Sequence, residues 1–411
     1  MGIGNIPNLI PPECSSPTTI PPSLSGYTLN MNHAKHKNVT VTLGAPIFSQ
    51  NSLVGRRTLV YNITTKPRIS NGDLVLKMSW QICRRLSEVH ILNQATDHGV
   101  EHLPELHMWM ESDNEYNLSQ GVRGKLFPGN MRDNGGKVYE DRCLRFMVFT
   151  KYEAITLIIS PSNLDYIFLQ LIDCLEKLRA AFIVHRNLSV TNLMHDPQRR
   201  VGEKPYLILN DFDRATFTTF MDADDSLAAE KRSKCGTLPF MACDILVDRP
   251  KPHFLRHDLE SAFYIVVWLV VNYPVDTNEE EQKTKRNILK HWEEGNLPTI
   301  FDAKIKFMNQ YSEFKRIVNC RSSVFKPYGV WLMQIRNIFR DGYQVKAKNE
   351  DERHLKSMTA DSFGDPLSEI PETFPGEETL NGIVTPTAIR DALKMARVRL
   401  QTVVESFCGG V

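Results

Sequence analysis

The stretch that most constrains this chain is His185-Arg186-Asn187-Leu188-Ser189-Val190-Thr191-Asn192-Leu193-Met194, with Asp211-Phe212-Asp213 beginning nineteen residues beyond Asn192. The apolar run Tyr206-Leu207-Ile208-Leu209 leads into Asp211 and reads as a short buried strand. A carboxylate directly after such a strand is well placed to hold Mg²⁺. On the other side, Leu164, Ile167, Phe168, Leu171, Ile172, Leu175 and Leu178 recur at helical spacing. Ser162 and Asp165 resemble a capping box, with Pro161 just before. The spacing predicts a core-facing helix that feeds His185 through Phe182-Ile183-Val184.

Phosphoryl transfer from ATP needs metal ions on the phosphates, positive charge on the leaving oxygens and a group that orients the attacking hydroxyl. The kinase signature set supplies these from a strand Lys, a helix Glu, a loop H-R-D-x-x-x-x-N and a metal-binding Asp. Here Asn192 keeps the loop spacing, and Asn187 stands where the catalytic aspartate belongs. Upstream, Asp73 to Met78 reads as a strand carrying Lys77, and Trp80 to Asn93 reads as a helix containing Glu88. A Lys77–Glu88 ion pair would hold the lysine on the phosphates. Either residue alone reads as a solvated side chain; their order ahead of the loop and Asp211 is what selects them. No G-x-G-x-x-G occurs. Leu53 to Tyr61 reads as strand–turn–strand with the single Gly55, and an ordinary turn glycine is an equal reading.

Together these residues resemble the fungal-type protein kinase family, a divergent branch of the protein-kinase-like fold. The resemblance also rests on Gly55-Arg56-Arg57-Thr58, on Asp-Phe-Asp at 211–213 in place of Asp-Phe-Gly, on Gly236 to Met241 and on His257 to Tyr264. It covers Leu53 to Tyr273 and the remainder only loosely. It implies an α+β, two-lobed architecture with a small antiparallel-sheet N-lobe and a larger helical C-lobe. It implies ATP and Mg²⁺ as cofactors and protein Ser/Thr hydroxyls as acceptors. Carried over by position, Gly55 and Lys77 contact the nucleotide, Glu88 pairs with Lys77, and Asn192 and Asp211 bind metal. Arg186 would meet a phosphorylated residue of the activation segment between Asp211 and Asp244, or be a solvated arginine. Asp244 would close that segment, and Asp258 would brace the catalytic-loop backbone.

Asn187 is the departure. An amide accepts a hydrogen bond from a hydroxyl but is no base near neutral pH. General bases contribute about 10²–10⁴-fold, so slow transfer is compatible with the sequence. Three readings follow: an impaired Ser/Thr kinase, a pseudokinase scaffold that keeps nucleotide binding, and a small-molecule phosphotransferase of the same broad fold. The Ser/Thr-bearing activation segment and the stretch from Gly236 to Asp244 argue against the last.

A net charge of +1 makes no electrostatic case for nucleic acid or an anionic membrane. Eight cysteines without a C-x-x-C pair indicate neither a zinc site nor a thioredoxin-type motif. The longest apolar run, Ala262 to Val271, falls short of the about 20 residues a bilayer span needs and fits a core helix. The Pro-rich start lacks the features of a signal sequence, so an intracellular location, cytoplasmic or nuclear, is expected. The organisation expected is a disordered N-terminus (1–25), an N-lobe (26–152) with a loop inserted near 111–140, and a C-lobe (153–344). A polar, disordered tail (345–384) and a C-terminal helix (385–411) would follow. Further helices are expected over Thr277–Trp292, Ile300–Val318 and Tyr328–Tyr343. An unidentified protein is the implied substrate or binding partner.

Overall fold

The computed structural model describes residues 9–10, 23–50, 57–83, 85–112, 142–218, 236–247, 252–272, 287–363 and 376–396. Gly55, positions 113–140 of the expected insertion, residues 219–235 of the expected activation segment, positions 397–411 of the expected C-terminal helix and nearly all of 1–25 lie outside them. The chain divides into two compact units, residues 1–96 with 103–153 and residues 97–102 with 154–411.

The first unit is built on a curled six-stranded antiparallel sheet. Its strands are β1 Thr28–Met31, β2 Val39–Ser49, β3 Leu59–Lys66, β4 Leu74–Ile82, β5 Leu106–Glu111 and β6 Arg142–Thr150, ordered β1-β2-β3-β4-β6-β5. Val39, Val41 and Leu43 alternate inward along β2, the period-2 pattern of a half-buried strand. With Leu29, Leu76, Phe146 and Val148 they form one apolar core.

Helix α1 runs Glu88–Asp97, later than the helix expected over Trp80–Asn93. Residues 80–82 belong instead to β4, which pairs with β6 residue for residue as far as Ile82 opposite Arg142. Two arginines of β6 fix that end: Arg142 Nη1 donates to the Trp80 carbonyl at 3.1 Å and Arg145 Nη1 to Gln81 Oε1 at 2.6 Å. Sheet pairing thus overrides the local helical pattern. The helix starts once Ser87 Oγ can cap it, accepting from the His90 N–H at 3.1 Å.

In the second unit, α2 Leu164–Ala180 turns the expected apolar stripe into the core. The expected capping box is corrected: Asn163 is the N-cap residue, and its side chain does not cap the first turn. Asn163 faces backwards instead, accepting from the Ser160 N–H at 2.9 Å and donating to the Ile158 carbonyl at 2.6 Å. Four short strands follow, β7 Ile183–Val184, β8 Leu193–Val201, β9 Lys204–Leu209 and β10 Thr216–Phe217, with β8 paired to β9 and β7 to β10.

The helices that complete the unit are α3 Cys243–Leu246, α4 Leu255–Asn272, α5 Lys290–Glu293, α6 Leu297–Asn309, α7 Tyr311–Val318 and α8 Tyr328–Phe363. Helix α4 is buried on nearly every side from Arg256 to Val267, as an apolar interior helix must be. Phe263 of α4, Trp292 of α5 and Phe314 of α7 surround Phe307 of α6, with ring centroids 6.0, 5.1 and 5.5 Å away. No helix among the described residues is long and apolar enough to cross a membrane.

Two expectations are corrected here, and a third lies mostly outside the described residues. The helix expected over Ile300–Val318 breaks at Gln310, whose extended backbone (φ −99°, ψ 118°) lets α7 turn Phe314, Ile317 and Val318 into the core. Only residues 287–292 of Thr277–Trp292 are described, and they contain the first three residues of α5. The tail expected from residue 345 is helical as far as Phe363. Its Lys, Glu, Gln and Ala are strong helix formers, and a polar composition suits a solvent-facing helix as well as a disordered chain. Residues 376–384 then form turns and 386–396 a helix, α9, with Leu380, Val384, Ile389 and Leu393 buried.

Phe307→Ala should destabilise the protein by about 3–5 kcal/mol, because the site is closed on all sides by aromatic rings and collapses poorly. Chemical denaturation followed by circular dichroism reads this directly; a loss under about 1 kcal/mol would contradict the packing described.

Candidate active site

The strand pairs bring two loops of the second unit together. Val184 lies opposite Thr216 and Leu193 opposite Leu209, so residues 185–192 and 210–215 run side by side. The Asn210 N–H donates to the Asn192 carbonyl at 2.8 Å, and His185 Nε2 donates to the Asn210 carbonyl at 3.1 Å. His185 Nδ1 accepts from the Asn187 N–H at 3.4 Å, and its ring lies edge-on to Phe212. Burial pushes the His185 pKa down, so the ring is neutral and serves the loop's architecture.

Asp258, in the first turn of α4, holds the loop from beneath. Its two oxygens accept from the His185 N–H at 2.9 Å and the Arg186 N–H at 3.0 Å. Arg186 adopts φ 68°, a left-handed conformation that a non-glycine residue keeps only when its surroundings impose it. His253 Nε2 lies 3.0 Å from Asp258 Oδ1. Burial alone would raise the Asp258 pKa; His253 and the His185 backbone N–H hold it below the ordinary carboxylate value.

Above this brace, Asn187 Nδ2 donates to Asp211 Oδ2 at 3.2 Å, and Asn187 Oδ1 accepts from Thr237 Oγ1 at 3.3 Å. Asn192 Nδ2 donates to the Asn187 carbonyl at 2.8 Å, which leaves Asn192 Oδ1 as the group it offers a ligand. Asp211 is left-handed (φ 64°, ψ 71°), a conformation short polar residues tolerate. One carboxylate oxygen of Asp213 lies within 4.8 Å of one of Asp211.

The turn that brings Thr237 to Asn187 is itself fixed. Gly236 takes φ 139°, and a Cβ there would meet Met241 Cγ at 2.7 Å. Lys304, buried in α6, donates to the carbonyls of Leu238 at 3.1 Å and Met241 at 2.6 Å. Its ammonium lies 4.2 Å from the centroid of the Tyr264 ring. Burial pushes the Lys304 pKa down to about 7.

In the first unit, Lys77 sits mid-strand in β4 between Val60 and Met147, and its Nζ meets Glu88 Oε2 at 2.7 Å. Both side chains are buried, the glutamate completely. Of the residues singled out from sequence, Asn187, Asn192 and Asp211 cluster in one unit, Lys77 and Glu88 pair in the other, and Arg186 is buried beside Asn187.

The described fungal protein kinase model matches residues 15–270. The chain belongs to the fungal protein kinase family. No curated protein matches it. A solved structure of vaccinia related kinase 3 shares 14% identity, with 72% of this chain and 79% of that one covered, at a TM-score of 0.41. The fold is the two-lobed, kinase-like α+β fold: a small antiparallel-sheet unit and a larger helical one.

The family implies ATP and Mg²⁺. The donors fit a hard cation: the Asp211 carboxylate, with Asp213 close by, and the Asn192 amide oxygen are oxygen ligands of the type Mg²⁺ takes. Two residues of this candidate site escaped the sequence reading. Lys304 had a visible signal: it stands with Ile300 and Phe307 at i, i+4 and i+7 on a core-facing stripe. His253 had none.

Asp258→Asn is expected to lower stability at neutral pH by about 1.5–3 kcal/mol, the worth of hydrogen bonds to a charged acceptor. The ionised carboxylate stabilises above its ordinary value of 3.8, and that contribution is lost as pH falls through the lower folded value. The variant should therefore show a shallower acid limb in urea melts from pH 7 to 3. Lys304 has the opposite sign: between about 7 and 10.5 it is neutral when folded and protonated when unfolded, so its contribution rises with pH. Lys304→Met should flatten the rise of unfolding free energy between pH 7 and 9; an unchanged slope would place Lys304 in a wetter site than described.

Proposed function

We propose that this fungal kinase-family protein binds Mg-ATP and transfers the γ-phosphate to Ser or Thr hydroxyls of proteins, slowly, because an amide occupies the general-base position. The observation that carries this reading is the 3.2 Å hydrogen bond from Asn187 Nδ2 to Asp211 Oδ2. It turns the donor side of the amide toward the carboxylate. What Asn187 offers a hydroxyl is its carbonyl oxygen, as the 3.3 Å contact from Thr237 Oγ1 illustrates. That oxygen orients a hydroxyl but takes no proton near neutral pH. The geometry supports positioning of the acceptor without its deprotonation.

Asn192 and Asp211 are the residues that would hold the metal, which when bound neutralises phosphate charge. Lys77, held by Glu88, would contact phosphate, and Gly55 is retained as a nucleotide contact by resemblance. The same amide favours a second reading, a pseudokinase scaffold that binds nucleotide without turnover. It keeps Lys77, Glu88, Asn192 and Asp211 and lacks the base.

Transfer from labelled Mg-ATP to a generic protein substrate and to the chain itself separates the two. The parent should exceed an Asp211→Ala blank, and Asn187→Asp should exceed the parent by about 10²–10⁴-fold, the usual contribution of a general base. A parent indistinguishable from the blank, with activity appearing only in Asn187→Asp, would establish the scaffold. No transfer from any variant, together with no binding of Mg-ATP at millimolar concentration, would overturn both.

A further inference from the structure

We infer that the C-terminal segment 376–396, which lies beyond the family match, is a latch that sets the position of the turn carrying Thr237, acting through Arg256. What the turn does rests on the kinase reading; the latch itself does not.

The relay is short. The backbone carbonyl of Glu377 accepts from Arg256 Nε at 2.9 Å. Nη1 of the same guanidinium meets Asp244 Oδ2 at 2.5 Å. Asp244 lies in α3, directly after the turn of residues 236–242. Lys346 of α8 meets the other oxygen of Asp244, and His257 Nε2 lies 3.6 Å from Oδ2. Arg256, Asp244 and Glu377 are all buried. Burial alone would raise the Asp244 pKa, but Arg256, His257 and Lys346 hold it well down.

A guanidinium is a planar fork, so fixing one N–H fixes the direction of the others. The Glu377 carbonyl holds Nε and thereby aims the head at Asp244. Without that carbonyl, the guanidinium loses the hydrogen bond that fixes the direction of its fork. Arg256 also stands two residues before Asp258, so one helical turn faces the latch, the end of the activation segment and the catalytic loop.

The segment is seated by contacts away from the turn. Glu378 pairs with Arg179 of α2 at 2.5 Å, and Arg390 of α9 pairs with Asp173 of α2 at 2.5 Å and with Glu176. Leu380 and Val384 lie against Gly342 of α8, where a Cβ would come within 2.9 and 2.8 Å of them. Gly342 is the notch into which the segment docks. It is helical, so a larger residue there wedges the segment without penalising α8.

The test is hydrogen exchange by mass spectrometry on the full chain, without nucleotide, comparing the parent with Gly342→Leu and Arg390→Glu. Local opening sets the exchange rate. Both variants should speed exchange in 376–396, and with it exchange in 237–246 by about tenfold or more. Arg256→Lys, which keeps the charge and loses the fork, should speed 237–246. Faster exchange in 376–396 with 237–246 unchanged overturns the latch, and so does a segment that stays protected in both variants. Should Gly342→Leu fail to fold, Arg390→Glu paired with Arg179→Glu carries the comparison. Absence of phosphate transfer from both the parent and Asn187→Asp would sink the kinase reading and leave the exchange result standing.

Discussion

Two successive peptide N–H groups, those of His185 and Arg186, converge on the carboxylate of Asp258. A left-handed arginine backbone costs roughly 1–2 kcal/mol, and each hydrogen bond to a charged acceptor returns about 1.5–3 kcal/mol. The loop keeps its shape because the second quantity exceeds the first. Everything above it follows: the turn of Arg186 sets where Asn187 stands, and Asn187 then reaches both Asp211 and Thr237. The carboxylate is kept ionised in the interior by His253 and the two N–H groups, against a burial that would protonate it.

The other buried ionisable groups of this unit also act on positions. Lys304 holds two carbonyls of the turn after Gly236. Glu260 accepts from the Cys243 N–H at 3.0 Å, from Tyr264 at 2.8 Å and from Tyr343 at 2.5 Å. Arg256 and Lys346 converge on Asp244. Burying such groups gains little stability over apolar residues of the same size, and removing one partner strands the other. Their effect is to give a segment of few regular hydrogen bonds one conformation. The turn after Gly236 is held by side chains where a strand or helix would be held by its backbone.

Much of this was legible in the order of residues along the chain. The apolar run before Asp211 marks a buried strand, and the stripe from Leu164 to Leu178 marks a helix, because burial leaves its pattern in the sequence. The Lys77–Glu88 pair was readable from the order of its members, although the helix that carries Glu88 begins later than its local pattern suggests. Residues 80–82 have no local preference strong enough to resist a partner strand, and the partner, β6, lies some sixty residues away in sequence, at Arg142. The tail was misread for a different reason: composition distinguishes apolar from polar, and a helix exposed to water is as polar as a disordered chain.

What the sequence determined by itself is the chemistry available: an amide at position 187, oxygen donors at 192 and 211, and a lysine and a glutamate in the right order before them. These depend on residue identity and spacing, which tertiary structure does not alter. Only the tertiary structure decided which way the amide faces, which carbonyls Lys304 holds, and that a segment near the C-terminus reaches Arg256. Those contacts join residues separated by tens to more than a hundred positions, and local periodicity carries no information at that range. They are set by which buried polar groups must find partners once the core has closed.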